Sequence, residues 1–100
     1  MIQGTTPTHV FTLPFSTENL KEIRIIYAQD NNVILTKTAA DCTLENDTAT
    51  VKLTQAETLL FEARKHVQIQ VRVLTAMGDA LTSNIEHVSV GKCLDNEVMT

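Results

Sequence analysis

Three histidines, three serines and two cysteines are the side chains here best suited to metal binding or nucleophilic chemistry. His9, His66 and His87 fall on three separate predicted strands, and no HxH or HExxH spacing joins them. Three partly exposed histidines are therefore expected, and no ligand set. Ser16, Ser83 and Ser89 lie outside any GxSxG elbow, and Cys93 belongs to a tail segment rather than a pocket-forming turn. Cys42 and Cys93 are too far apart in sequence for a zinc spacing or a CxxC pair. Cys42 falls on an apolar phase and reads as a buried small hydrophobe. Nothing indicates export, and the sequence leaves open whether the two thiols meet. The carboxylates are scattered. Glu45 and Asp47 flank a hairpin tip, where calcium would need further oxygen ligands. No glycine-rich loop could cradle phosphate. The expectation is a chain with no catalytic residues, no metal and no cofactor.

A different kind of feature is the polar row Gln68, Gln70, Arg72, which alternates with Val67, Ile69, Val71 and Val73. Period two puts the valines and isoleucine on one face of a strand and the polar row on the other. A solvated sheet face is the ordinary reading. The functional reading is a protein contact, because amides and guanidinium make directional hydrogen bonds and arginine is enriched at interfaces. Leu74, with Ile26 and Ile34 on the expected outer phase of an earlier hairpin, would add apolar area to such a patch.

Length and composition bound the rest. One hundred residues make a single domain, 1–100, with segments 1–7 and 95–100 expected to fray. Fifteen threonines against three glycines lean toward β structure. Tryptophan is absent and aromatics are 4%, which argues against a stacking platform for sugars or single-stranded nucleic acid. Net charge is −4, and the one basic cluster, Arg64-Lys65-His66, is interspersed with acids, so nucleic acid is not an expected partner. No apolar run reaches membrane-spanning length, and the first residues lack a signal-peptide pattern. A soluble protein of the cytoplasm on synthesis is expected.

Those residues need elements to position them. Segment 8–13 alternates and meets Pro14, which suits an edge strand. Ser16 or Thr17 can cap a short helical turn. Segments 23–29 and 33–38 flank Asp30-Asn31-Asn32, strong turn chemistry, and read as a hairpin. A second pair surrounds Glu45-Asn46-Asp47, with Cys42 and Leu44 facing Val51 and Leu53. Thr54 and Glu57 then match a capping box, so a short helical corner over 54–60 separates two strands. After 67–74, Gly78-Asp79 suits a two-residue type II′ turn, and the returning strand changes phase near Asn84, where a bulge is expected. About seven strands and one corner describe an all-β fold, a small antiparallel β-sandwich immunoglobulin-like in outline. The tight turn at residues 30–32 conflicts with immunoglobulin order, in which the corresponding link crosses between sheets.

The corner Leu53-Thr54-Gln55-Ala56-Glu57-Thr58, the long strand after it, the Gly78-Asp79 turn and the opening TTPTHVFTLPF resemble small phage and prophage proteins of Gram-positive bacteria. More distantly they are similar to the N-terminal β-sandwich of phage upper-baseplate proteins. The resemblance covers most of the chain and implies a non-enzymatic virion component of tail or baseplate. Such a component would pack against copies of itself, as a homo-oligomer, or against neighbouring phage structural proteins. It brings no catalytic residues, and this chain lacks the fibre or coiled-coil region of a full baseplate protein. Unpaired edges suit that role, and segments 8–13 and 85–90 are the edges expected to offer them. The alternative is a small ligand- or carbohydrate-binding sandwich using the loops at 30–32 and 45–47.

Overall fold

A computed structural model describes all 100 residues. Two antiparallel sheets face each other across one core, the small β-sandwich that the alternation predicts. The small sheet has the order β1 (Thr8–Thr12), β5 (Thr48–Lys52), β4 (Cys42–Glu45). The large sheet runs β3 (Asn32–Thr38), β2 (Leu20–Gln29), β6 (Val67–Thr75), and both β7 (Ala80–Thr82) and β8 (Glu86–Val88) pair with the far side of β6. Ile23, Ile25, Tyr27, Val67, Ile69 and Val73 of the large sheet meet Ala49 and Val51 of the small one and Leu53 just after it. No helix is long and apolar enough to cross a membrane.

The β2–β3 link has both central residues, Asp30 and Asn31, at positive φ (50° and 64°). That is the type I′ hairpin, whose twist matches its strands. It keeps β2 and β3 in one sheet, so the strand order departs from the immunoglobulin one. The hairpin also carries a bulge. Tyr27 pairs with Leu35 but Ala28 with Val33, which leaves Ile34 unmatched. Ile34 was expected on the outer face; the extra residue instead lets both Ile34 and Leu35 pack on the core and brings Lys37 to a buried position opposite Ile25.

The returning edge behaves as expected near Asn84. Arg72 pairs with Thr82 and Ile69 with Glu86, so three residues, 83–85, face only Gln70 and Val71. This bulge divides one expected strand into β7 and β8, making eight strands rather than seven. The turn before it differs from the expectation. Thr75 N–H donates to Asp79 O at 2.8 Å and Gly78 N–H to Thr75 O at 3.0 Å, closing a three-residue loop. Gly78, at φ +93°, holds its last position instead of the first place of a two-residue turn. In the small sheet, Cys42 faces Val51, but Leu44 faces Ala49. Leu53 lies beyond that ladder, which ends at the Cys42–Val51 pair, and its N–H donates to Pro7 O on the β1 side at 2.9 Å.

The corner is the single α-helical turn α1 (Gln55–Thr58). Thr54 Oγ1 accepts from Glu57 N–H at 3.2 Å, and Glu57 Oε1 accepts from Thr54 N–H at 2.8 Å, the capping box read from the sequence. The other Glu57 oxygen pairs with Lys37 of β3. Thr58, fully buried, donates its hydroxyl to Thr5 O at 2.8 Å. Segment 1–7, expected to fray, is tied down along its length: Ile2 bridges Gly91 in parallel, and Gln3 N–H donates to Gly91 O at 3.0 Å. Gly91 permits that crossing, since a Cβ there would lie 3.1 Å from Ile2 Cγ1.

Burial alone would raise the Glu57 pKa, but the Lys37 ammonium and the Thr54 amide outweigh it and hold the carboxyl below its ordinary 4.5. A carboxyl depressed on folding stabilises the protein fully above its unfolded value, and the contribution disappears as pH falls through the folded one. Glu57→Gln is expected to cost about 2 kcal/mol at neutral pH, a Tm loss of roughly 8–16 °C. It should also flatten the acid limb of the stability curve. Thr54→Ala should cost about 1 kcal/mol. Thermal melts at neutral and acidic pH check both; an unchanged acid limb in Glu57→Gln would contradict the assignment.

Candidate protein-contact surface

The polar row predicted as a surface is on the outer face of β6, but its members do different things. Gln68 is half-buried and makes a two-point contact with the β2–β3 turn. Its Oε1 accepts from Asn31 N–H at 2.9 Å and its Nε2 donates to Asn31 Oδ1 at 3.0 Å. Gln70 donates to Ser83 O at 3.1 Å and so ties β6 to the bulge. Arg72 is exposed and lies opposite Arg24 and Thr82. Arg24 is neutralised by Glu22 at 3.0 Å, which leaves Arg72 as the uncommitted charge of the row. Leu74, half-buried, pairs with Glu22 and Ala80, and these residues rim a shallow depression of about 170 Å³. The end of the row left without internal hydrogen bonds is therefore Arg72 with Leu74. The other predicted site residues, Thr54 and Glu57, lie in the corner, bonded as described above.

A second feature lies between two strand edges, those of segments 8–13 and 85–90. Between β1 and the β7–β8 edge the sheets part, leaving an open groove of about 480 Å³. One wall is Val10 to Pro14; the floor is Ile69, Val71 and Val73, continued by Leu81, Ser83 and Glu86. Leu81 shares its face with buried Val73, and Glu86 with Ile69, so both project toward the inside of the sandwich. Leu81 is nevertheless 44% exposed. The cause is a width mismatch: the small sheet is three strands wide and ends at β1, while the large sheet continues past β6. The signal available in the sequence was the out-of-phase Glu86, an acid where the alternation calls for an apolar residue.

Two of the histidines come together and the third stands apart. His66 lies just before β6 and His87 on β8, their rings 6.3 Å apart and exposed. His9 points inward from β1, its ring stacked on Tyr27 at 5.7 Å and its Nδ1 2.7 Å from the Tyr27 hydroxyl. Tyr27 is fully buried, so His9 is the partner its hydroxyl requires. Cys42 and Cys93 are both free thiols. Comparison of the chain with protein-family models, with curated proteins and with solved structures finds no match.

Burial, and behind it the N-terminal ammonium, lowers the His9 pKa from 6.5, while burial raises that of Tyr27. For a base depressed on folding, the unfolded chain takes the proton first. Stability is then full above pH 6.5 and falls as pH drops through the lower folded value. An NMR titration should place His9 below the ordinary histidine range. His9→Gln should remove stability loss from that window, and Tyr27→Phe should cost about 1 kcal/mol. A His9 titrating at or above 6.5 would contradict the buried pairing.

Proposed function

We propose that this chain is a non-enzymatic interaction module, a phage- or prophage-type virion component of tail or baseplate that works through protein contacts. The observation that carries the reading is the open side of the sandwich. Along β1, the neighbours Pro7 and Leu13 bond across to Leu53 and Asp47, so by alternation the N–H and C=O groups of Thr8, Val10 and Thr12 face away from β5. No strand pairs with that side of β1. Proteins commonly guard such an edge with lysine or a bulge, because it templates another chain. Here Thr8, Val10 and Thr12 are exposed without a charge among them, and Val10 is 61% exposed. The capped corner and the glycine hairpin, which carry the resemblance to phage sandwiches, add support. The loops of the ligand-binding alternative have internal tasks: Asp30 binds Lys65 at 2.9 Å, Asn31 binds Gln68, and Asn46 O accepts from Thr17 N–H at 2.7 Å.

Light scattering across concentration, with pull-downs against the products of neighbouring genes, tests the reading. Self-association or retention of a structural neighbour is expected. Val10→Lys on the open edge should weaken retention of a neighbour's strand there by about tenfold or more, and Arg72→Glu should weaken association by a smaller factor. A strict monomer that retains none of those products would overturn it.

A further inference from the structure

We infer that the groove between β1 and β7–β8 is the vacant place of a fourth strand in the small sheet, and that its occupant is an extended segment of a partner protein with apolar residues at alternate positions and a basic residue facing Glu86. This rests on the reading of the chain as a protein-contact module and specifies how one contact is made. Three observations converge on it.

The first is the backbone. A strand laid beside β1 meets three N–H and three C=O groups that have no partner in the sandwich, from Thr8, Val10 and Thr12. A compact small ligand would leave that edge unused. The second is the floor. Exposed Leu81 and half-buried Val71, flanked by the buried Ile69 and Val73, lie where the missing strand's inward side chains would point. Every second residue of the occupant would thus be buried, and an apolar side chain gains most there. The third is charge. Glu86 is on an inner-face position beside Ile69, exposed, and makes no ion pair. An inward charge guards an edge against indiscriminate pairing. It also selects, since a lysine or arginine opposite it is favoured and an acid is repelled.

The β1 edge of a second copy does not fit this place. Antiparallel β1–β1 pairing about a two-fold axis puts both large sheets on the same side of the joined small sheets. The floor beneath the vacant place is already β7 and the bulge, so the two large sheets would overlap. A single strand enters where a whole domain cannot.

The probes are two seven-residue synthetic peptides, each with valine at alternate positions and threonine between them, one ending in lysine and the other in glutamate. Binding is read by fluorescence anisotropy on the full chain. The lysine peptide should bind about tenfold more tightly than the glutamate peptide, and Glu86→Lys should reverse that order. Circular dichroism should show Glu86→Lys folded, its site being on an exposed edge. Hydrogen exchange should slow at the Thr8, Val10 and Thr12 amides when the lysine peptide is present. Absence of binding by both peptides, an order unchanged by Glu86→Lys, or unprotected β1 amides would each overturn the inference. If the chain still associates with phage neighbours in those cases, the functional reading stands and only the groove assignment fails. If the peptides bind as expected but no neighbour is retained, the reverse holds.

Discussion

Glu57 is the point at which the two sheets and the corner become one structure. Its backbone N–H and one carboxylate oxygen close the capping box with Thr54, and the other oxygen takes Lys37 from the edge strand of the large sheet. The corner follows β5 of the small sheet directly, so this one side chain links both layers. Lys37 and Glu57 are mostly shielded, with side-chain exposures of 11% and 18%. A pair this dry is not worth its full Coulomb energy, because both ions have lost water. Its effect is sharper in the other direction: loss of either partner leaves a shielded charge with no counterion. The Ile34 bulge matters for the same reason, since it sets the phase that turns Lys37 inward.

Around that link the chain uses glutamine as a substitute for missing ladder bonds. The sequence has five glutamines, and all five bond backbone. Gln29, buried at 5% exposure, donates to Glu62 O at 2.9 Å and accepts from Glu62 N–H at 2.8 Å, holding the loop after the corner. Gln3 does the same between Phe61 O and Cys93 N–H, and Gln55 grips both backbone groups of Met99. An amide offers a donor and an acceptor at one end, so it can mimic a strand neighbour where none exists. Irregular segments between strands can then be covered without orphaned polar groups.

That pattern explains which parts of the structure were legible. The alternation over 67–73, the Asp30-Asn31 turn, the capping box and the phase change near Asn84 are local devices, and each appears where its residues stand. The Ile34 bulge was hidden because Val33-Ile34-Leu35 is apolar throughout and carries no phase. The row Gln68, Gln70, Arg72 was visible as a row, but its division was not. Gln68 and Gln70 have their partners on loops that only the fold brings near, Asn31 and Ser83. The pinning of segment 1–7 was likewise non-local, since Gly91, Phe61 and Thr58 are its anchors.

The open side follows from the same economy of strands. β3 and β4 are joined by Ala39–Asp41, a short turn that closes one flank of the sandwich. At the opposite flank the termini meet at Ile2 and Gly91, so closure there is limited to the end of the core near Phe61 and Val90. Beyond that point the small sheet has no further strand to place over β7, and the bulge at 83–85 angles the edge without covering it. Pro14 then stops β1 from extending its own ladder. The two edges differ in defence: β8 carries an inward acid, and β1 carries only threonine and valine on its exposed positions. An unguarded edge facing a guarded one across an apolar floor distinguishes this groove from a simple packing defect. A defect would be expected to expose its walls alike, whereas this arrangement offers backbone bonding on one wall and charge selection on the other.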